Sequence, residues 1–460
     1  MLMFRTEFIK VILIITAVVF ALPGLLIGAE ADSKKTSSIP ENKQKEEEYD
    51  PDAPPSTPTQ IAPYIYFGGY LELDYEDERN FDLDSSEADD LIIIEPVFSI
   101  ATTIRPDESF EAFFNLRYSK EAELEEEGEN DRYRPHRLRI SQTNLLFKEI
   151  FEKTSLKIGR QRFDDDREWL YDEKLDAVRV FHELGDVKLD GSLSWEGTFD
   201  MDLLGNRSDK RIDNYFLRTE FFPTKKIKFA PYVVYRHDRS REWSRPLFLG
   251  IHSSGEISKR LDYWAEFAWV RGKEKKTEDD SSKTFKFEGI GFDVGATYEF
   301  DSPLKPSIVA SFAFGSGDSN PDDGDDQGFR QTGLQDNSDK LTGITSVDYY
   351  GELFDPELSN MMVFTLGAGI RPQKNLSLEV IYHYYLQHHA ADEIRDTDVD
   401  DDTTGLSRDL GSEFDFVLGW RHSKKLDLKV CFGFFLPGDA FPSESDETAT
   451  FAKVRLRYKF

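Results

Sequence analysis

The sequence predicts an all-β protein, a closed antiparallel transmembrane β-barrel of about eighteen strands. The first observation is a two-residue periodicity: after residue 60, apolar residues recur at every second position in runs of about ten. In “NYFLRTEFF”, Tyr215 and Leu217 alternate with Asn214 and Arg218. Alternate side chains of a strand point to opposite faces of its sheet, so one face is apolar and the other mixed polar. Runs of this length match strands that cross a bilayer at a tilt.

The connections between these runs are the second observation, because short and long ones alternate strictly. Eight short turns occur at 105–109, 148–154, 184–186, 222–226, 258–260, 301–305, 371–375 and 422–426. Nine longer polar stretches occur at 78–90, 120–135, 163–174, 199–210, 238–244, 271–284, 317–358, 389–409 and 437–447. Outer-membrane barrels have this asymmetry, with tight periplasmic turns and long external loops, whereas a soluble sandwich does not require it. Eight turns and nine loops join eighteen strands.

The N-terminal region is expected to lie outside the barrel. Residues 1–31 predict a cleaved secretory signal, in which an apolar run at 11–28 is followed by a small-x-small site ending at Ala31. A membrane anchor is the alternative, because the run is nearly long enough to span a bilayer. Residues 32–60 predict a disordered periplasmic tail, since they are too poor in apolar residues to form a core. The barrel is assigned to residues 61–460.

The last strand, “FAKVRLRYKF”, alternates cations with apolar residues. Val454 and Leu456 are expected to face lipid, and Arg455 and Arg457 to face the lumen. The final residue, Phe460, matches the aromatic end common in bacterial outer-membrane barrels. A solvated edge strand protected by charges is the alternative, but it requires an open sheet, and a closed barrel has no edge.

The formal net charge of −31 comes mostly from the predicted loops. The stretch “DSNPDDGDDQ” (318–327) offers oxygen ligands, although its spacing does not match the twelve-residue calcium loop. Hydrated loops that carry no metal are the other interpretation. The sequence therefore predicts no cofactor, with calcium on the acidic loops as the open alternative. The single cysteine, Cys431, excludes an intramolecular disulfide.

The predicted lumen carries cations in spite of the acidic total. Parity places four arginines on the inner face, namely Arg117, Arg218, Arg455 and Arg457, and we also expect Arg139, Arg179 and Arg236 there. Inward arginines concentrate anions, and rings of Arg and Lys are a common anion-selective device in pores. The arginines expected on the inner face therefore predict an anion-selective channel.

Residues 156–181 read “LKIGRQRFDDDREWLYDEKLDAVRVF”. This stretch resembles the signature of the alginate-export family of outer-membrane channels: a strand ending in G-R-x, a loop with a W/Y pair, and then L-D-A-V-R. Later stretches are also similar to that family: “GFRQTGLQDN”, “YYGELFDPELSN”, “YHYYLQHHA”, “LGSEFDF” and “FFLPGDAF”. The resemblance covers roughly residues 62–460. It implies an eighteen-stranded barrel that exports an anionic polysaccharide passively through an arginine-lined constriction.

The resemblance also implies the roles of individual residues. It places Arg160 and Arg162 at the family's G-R-x-R positions. It places Asp172, Asp176 and Arg179 at the positions of the family's acidic-loop and L-D-A-V-R segment. These residues are expected to build the constriction and its counter-charges. Simple alternation, however, puts Arg160 and Arg162 on the apolar face of their strand. Either a bulge at Gly159 switches the register, which we favour, or the two arginines lie beyond the hydrocarbon band.

The sequence thus predicts a channel of the bacterial outer membrane for an alginate-like polyuronate. Its expected partners are this polysaccharide, outer-membrane lipid and periplasmic export proteins, and no nucleic acid. A porin for small organic anions or sugars is the alternative within the same class. A barrel hydrolase is a further alternative, in which the inward His383 would be the base. The sequence has neither a G-x-S-x-G elbow nor an H-E-x-x-H motif, so we expect no enzymatic activity.

Overall fold

The computed structural model describes residues 53–84, 90–126, 136–197, 202–205, 210–241, 243–278, 281–320 and 324–460. The predicted signal and most of the predicted tail lie outside these ranges. Every regular element within them is a β-strand. The described residues include no helix that is long and apolar enough to cross a membrane.

Eighteen strands form the wall of the molecule. They are β1 Ile65–Arg79, β2 Leu91–Ile104, β3 Phe110–Ser119, β4 Arg137–Phe151, β5 Thr154–Asp164, β6 Asp172–Leu184, β7 Val187–Glu196, β8 Ile212–Thr224, β9 Ile227–Asp238, β10 Leu247–Ser258, β11 Leu261–Glu278, β12 Ser281–Glu299, β13 Ser307–Gly315, β14 Met361–Gln373, β15 Leu376–Gln387, β16 Asp409–Ser423, β17 Leu426–Pro437 and β18 Ala449–Lys459. Shorter strands lie at Thr59–Ala62, Ala122–Glu126, Asp325–Asp326, Ser338–Asp339 and Val347–Asp348.

The wall is a closed barrel. Each of the eighteen strands pairs antiparallel with the next in sequence, and β18 pairs back with β1 from Lys459↔Tyr70 to Thr450↔Arg79. Closure leaves the wall without an open edge, so every strand has a neighbour on both sides. The predicted all-β class, the closure and the count of eighteen strands are confirmed.

The two ends of the barrel differ, as the alternation of connections predicts. One end, which we call the turn end, carries the short connections, such as Gly185–Asp186 between β6 and β7. The other, the loop end, carries the long ones. The predicted loop at 271–284 is wrong, because β11 and β12 continue as one hairpin and pair as far as Glu278↔Ser281.

Side chains alternate between an apolar outer face and a polar inner face. On the outside, Leu217 and Leu366 are 50% and 60% exposed. Their sequence neighbours Arg218 and Thr365 point inward and are only 7% and 2% exposed. Soluble proteins bury their large apolar side chains and expose their charges, so this barrel has the opposite distribution.

The longest connection, residues 316–360, folds into the barrel over 324–360, and we call the connection the lumen loop. Near its start, Arg330 forms an ion pair with Glu274 of β11 at 2.5 Å, towards the loop end. Its middle reaches the turn end, where Thr342 donates hydrogen bonds from its backbone N and its Oγ1 to Glu379 of β15, at 3.0 and 2.7 Å. The lumen loop therefore extends along the height of the barrel.

The returning half of the lumen loop is fixed to β16 and β17, the strands that follow β15 around the wall. The backbone N–H groups of Leu353 and Phe354 each donate to the Glu413 carboxylate of β16 at 2.9 Å. Glu352 forms an ion pair with Lys429 of β17 at 2.5 Å, and both side chains are buried. Because a buried carboxylate requires such donors, these contacts hold the loop at defined positions on the wall.

A second segment enters the lumen where β5 and β6 meet; we call it the β5–β6 tip, residues 161–175. The pairing of β5 with β4 ends at Arg160↔Thr143, and that of β6 with β7 ends at Asp176↔Trp195. Beyond these points the two strands pair only with each other, as far as Asp164↔Asp172. The tip has therefore left the wall.

Candidate functional site

The β5–β6 tip and the lumen loop meet in the interior around Arg167. Its guanidinium lies between the rings of Trp264 and Tyr349, with its Cζ at 4.1 and 4.0 Å from their centroids. It also pairs with Asp293 of β12 at 3.4 Å and with Asp339 of the lumen loop at 3.0 Å. Arg167 thus joins the tip, the lumen loop and the wall by charge and by cation–π contact.

Aromatic side chains complete this junction. Trp169 of the tip stacks on Phe329 of the lumen loop at a centroid distance of 5.9 Å, and its Nε1 donates to the Tyr350 hydroxyl at 2.9 Å. Burial raises the pKa of Tyr350 well above its ordinary value, so this phenol stays protonated and donates in turn to Asp293 at 3.3 Å. The junction of the two inserted segments therefore lies in the part of the lumen bounded by β11 and β12.

A pocket lies on the other side of the lumen, against the inner faces of β1, β3, β4 and β18. We call it the cationic passage. Its lining contains aromatic, amide, carboxylate and cationic side chains together with a short N-terminal segment. The lining residues are Ala53, Pro54, Pro55, Tyr70, Glu72, Asn115, Arg117, Ser141, Gln142, Lys174, Arg455 and Arg457.

Two of the passage cations are paired with carboxylates of β1, the neighbouring strand. Arg455 Nε lies 2.9 Å from Asp74. Arg457 Nε contacts Glu72, and its guanidinium lies 4.5 Å from the centroid of the Tyr70 ring. Both carboxylates are buried, since Asp74 is 7% exposed and Glu72 is 6% exposed. These ion pairs lower the net positive charge that the two arginines give the passage.

Two other passage cations carry no such neutralising partner. Within the described ranges, neither Arg117 of β3 nor Lys174 of the β5–β6 tip forms an ion pair, and Arg117 Nε is buried without a hydrogen-bond acceptor. Arg139 of β4 is the pairing partner of Arg117, so it lies on the same face of the wall, and it is exposed. Cations that lack carboxylate partners give the lining a positive potential.

Alternation assigns Arg160 and Arg162 to the apolar face of their strand, and we favoured a register switch at Gly159 as the reason. The structure shows a different reason. The pairing of β5 with β6 runs from Thr154↔His182 to Asp164↔Asp172 without a shift, so the expected bulge is wrong. Gly159 instead adopts φ = +117°, a conformation that suits glycine, and the chain leaves the wall one residue later. Both faces of the tip lie inside the barrel. Charged side chains of the tip can therefore stand at positions that the alternation assigns to the outer, lipid-facing side.

The arginines that the family resemblance assigned to the constriction lie at the base of this tip, each beside an acid. Arg160 lies 3.9 Å from Asp176, and Arg162 pairs with Asp172 at 2.5 Å and with Glu168 at 2.6 Å. All three pairs are largely buried. The predicted association of these arginines with counter-charges is present in the geometry, but none of the five side chains is among those that line the cationic passage.

The remaining predicted arginines lie elsewhere on the inner face. Arg179 binds Asp190 through Nε and Nη2, and its Cζ lies 4.4 Å from the centroid of the Phe163 ring. Arg218 and Arg236 pair with acids on the wall. Their partners are Glu220 at 3.5 Å and Glu196 at 2.8 Å. Of the eleven predicted site residues, the structure therefore brings Arg117, Arg455 and Arg457 together in the passage.

Sequence reasoning missed several lining residues. The alternation in “YLELDYEDE” would have placed Tyr70 and Glu72 on the inner face, opposite the last strand. No sequence signal would have identified Lys174, because it reaches the passage only when the β5–β6 tip leaves the wall.

Two other clusters offer no second site. The carboxylates of Glu168, Asp172 and Asp336 lie within 4.8 Å of one another, but Arg162 already pairs with two of them. His383, the residue considered for a hydrolase, is fully buried, with Nδ1 at 3.0 Å from Thr365 Oγ1. A substrate has no access to a fully buried imidazole in this arrangement.

Solved structures of low sequence similarity share the fold. The crystal structure of Acinetobacter baumannii OccAB1 superposes with a TM-score of 0.55 at 10% identity, over 86% of this chain and 96% of that chain. Pseudomonas aeruginosa OccK5 (OpdH) superposes with a TM-score of 0.53 at 10% identity, over 86% of this chain and 98% of that chain. At this identity the likeness concerns the fold alone.

Sequence relatives identify the family. Pseudomonas aeruginosa “Alginate production protein AlgE” is 26% identical over 360 residues, which cover 66% of this chain and 70% of that protein. The protein of the same name from Azotobacter vinelandii is 25% identical over 177 residues, 32% of this chain and 35% of that protein. The family model described as “Alginate export” matches residues 64–455. The chain therefore belongs to the alginate-export family.

Proposed function

We propose that this barrel spans the bacterial outer membrane and lets an anionic polysaccharide, an alginate-like polyuronate, leave the cell passively along the cationic passage. The observation that carries the proposal is the presence of Arg117 and Lys174 in the passage without carboxylate partners among the described residues. A polyuronate carries a carboxylate on each sugar. Guanidinium and ammonium groups bind carboxylates by charge-assisted hydrogen bonds.

The distribution of side chains supports a membrane location. Large apolar residues such as Leu71, Leu249 and Leu366 are exposed on the outer face, and the wall pairs all its strands in a closed ring. Only closed barrels and helices satisfy all their backbone hydrogen bonds in lipid. The turn end would then face the periplasm and the loop end the outside.

The paired cations support transport in preference to tight binding. Arg455 and Arg457 remain close to Asp74 and Glu72, so a polymer carboxylate must compete with resident carboxylates for them. Conduction requires sites that attract the substrate and also release it. The presence of both paired and unpaired cations in one passage fits this requirement, and it supports anion selectivity without stable capture.

A porin for small organic anions is the second candidate. It is favoured by the lumen loop and the β5–β6 tip, which both lie inside the barrel and narrow the space available to a solute. The two candidates share the cationic passage and differ in the length of the solute that can cross.

Release from proteoliposomes distinguishes the candidates. Vesicles that contain the purified full chain would be loaded with fluorescent oligouronates of increasing length. Oligomers whose carboxyl groups have been reduced to alcohols would be the neutral control. We expect the charged oligomers to be released faster than the neutral ones at every length. Release of monomeric uronate without release of oligomers would instead favour the small-anion porin, and equal release of charged and neutral oligomers would contradict both candidates.

A further inference from the structure

The N-terminal segment Ala53–Pro58, which we call the inner strap, enters the barrel rather than remaining outside it. Thr59–Ala62 pairs with the start of β1, from Thr59↔Phe67 to Ala62↔Ile65. This pairing uses the part of β1 that β18 does not reach, since the pairing of β1 with β18 begins at Tyr70. The seam between the first and last strands therefore carries the chain into the lumen.

The inner strap crosses the inner face of β1 at Gly68. A Cβ atom at this position would lie 2.1 Å from the Ser56 carbonyl oxygen and 3.0 Å from Thr57 Cα. The strap backbone therefore occupies the space that a side chain at position 68 would fill. Beyond this crossing, Ala53, Pro54 and Pro55 line the cationic passage beside Arg117 and Lys174.

The inner strap has few backbone hydrogen-bond donors with which to bind the wall. The Thr57 hydroxyl forms a hydrogen bond of 2.8 Å with the Thr103 hydroxyl of β2. Pro54, Pro55 and Pro58 have no backbone N–H to donate, and alternate residues of the strap are exposed. Exposed segments with few backbone hydrogen bonds open at lower free-energy cost than the paired strands of a sheet.

We propose that the inner strap is a displaceable wall of the cationic passage, and that its withdrawal towards the turn end widens the passage for a polymer. The inference rests on the proposed channel function. The strap lies beside the two unpaired cations, so its position determines how much of their surface a passing carboxylate can contact. Gly68 and the Thr57–Thr103 hydrogen bond determine that position.

The first test displaces the strap with Gly68→Val, which puts side-chain atoms where the strap backbone lies. We expect the ion conductance of single channels in planar bilayers to rise about twofold, because the passage widens without loss of its cations. Gly191→Val is the matched control, since a Cβ atom there meets only Leu217 Cδ1 and the Phe216 carbonyl oxygen, at 3.7 and 3.9 Å. Unchanged conductance in folded Gly68→Val, with folding verified by the heat-dependent electrophoretic mobility of the barrel, would contradict the inference.

The second test locks the strap. Thr57→Cys with Thr103→Cys, in a Cys431→Ala background, places two thiols at a pair of side chains that are now in contact. We expect the oxidised variant to keep native small-ion conductance and to release oligouronate about tenfold more slowly than the reduced variant. Equal release by the oxidised and reduced forms would overturn the inference.

The two tests separate this inference from the proposed function. If Gly68→Val raises ion conductance while no form of the protein releases oligouronate, the export function fails and the strap remains a wall of the passage. If every form releases oligouronate at one rate and conductance does not change, the function stands and the strap inference fails.

Discussion

Removal of the two unpaired cations is the sharpest perturbation of the passage. The double variant Arg117→Ala, Lys174→Ala deletes the passage cations that lack a carboxylate partner among the described residues, and it leaves the Arg455 and Arg457 ion pairs in place. We expect the barrel to fold normally, because neither side chain forms an ion pair in the described part of the chain. The change should therefore act on the permeating ions alone.

The magnitude follows from Coulomb's law. A unit charge about 6 Å from a permeating ion contributes about 0.7 kcal/mol in water, and physiological salt reduces this to about 0.3 kcal/mol. Each charge favours an anion and disfavours a cation by this amount. Two charges thus separate the ions by about 1.3 kcal/mol, or about tenfold in their permeability ratio.

The assay is the reversal potential of single channels in planar bilayers under a KCl gradient. The native chain should show a chloride preference that falls about tenfold in the double variant. Arg260→Ala is the matched control, because it deletes an exposed arginine at the turn end that pairs with Asp301. An identical reversal potential in the native chain and the double variant would refute the reasoning.

Three further predictions concern the inserted segments. Lys429→Met leaves the buried Glu352 carboxylate unpaired, so the attachment of the lumen loop should weaken by about 3–5 kcal/mol and its amide hydrogen exchange should accelerate. Burial raises the pKa of Glu352, but the charge and hydrogen bond of Lys429, together with the charge of Lys453 and a backbone hydrogen bond from Asp348, lower that pKa below its usual value near 4.5. The stability from this pair is therefore present above that value and is lost as the pH falls through the lowered pKa, which exchange measured across an acid series should show. Arg162→Met removes a buried partner of Asp172, so amide hydrogen exchange in the β5–β6 tip should accelerate. Arg105→Met, the control, breaks the exposed ion pair with Glu111 and should accelerate exchange in its own turn far less.

Each of these predictions has a result that would oppose it. Equal exchange of the lumen loop in the native chain and Lys429→Met would mean that the ion pair does not hold the loop. Exchange of that loop that does not change with acid would contradict the role of Glu352. If Arg162→Met and Arg105→Met have effects of similar size, burial does not decide the strength of these pairs.

The wall of the barrel was predictable because its rules are local. Alternation in “FAKVRLRYKF” assigned Arg455 and Arg457 to the inner face, and the order of short and long connections gave the number of strands. Both predictions depend on residues that are close together in sequence. Adjacent residues of a strand point to opposite faces of the sheet, and a connection is recognised by its own composition and length. Neither needs knowledge of what the lumen contains.

The interior was not predictable by the same rules. Parity places Arg160 and Arg162 on the outer face, yet both are buried at or beyond the point where the chain leaves the wall, since the pairing of β5 with β4 ends at Arg160. The lumen loop, likewise, is fixed by partners far away in sequence, such as Glu413 for Leu353. Periodicity carries no information about such long-range contacts, so Lys174 and the inner strap became visible only in the folded chain.

Block of single channels by a charged polymer tests the central claim, a cationic passage for an anionic polysaccharide, most directly. Polyuronate or dextran of matched length would be added at the turn end of the native chain in a planar bilayer. We predict interruptions of the current by polyuronate and none by dextran, with fewer interruptions in the Arg117→Ala, Lys174→Ala variant. Equal effects of the two polymers, or a current that polyuronate leaves unchanged, would contradict the claim.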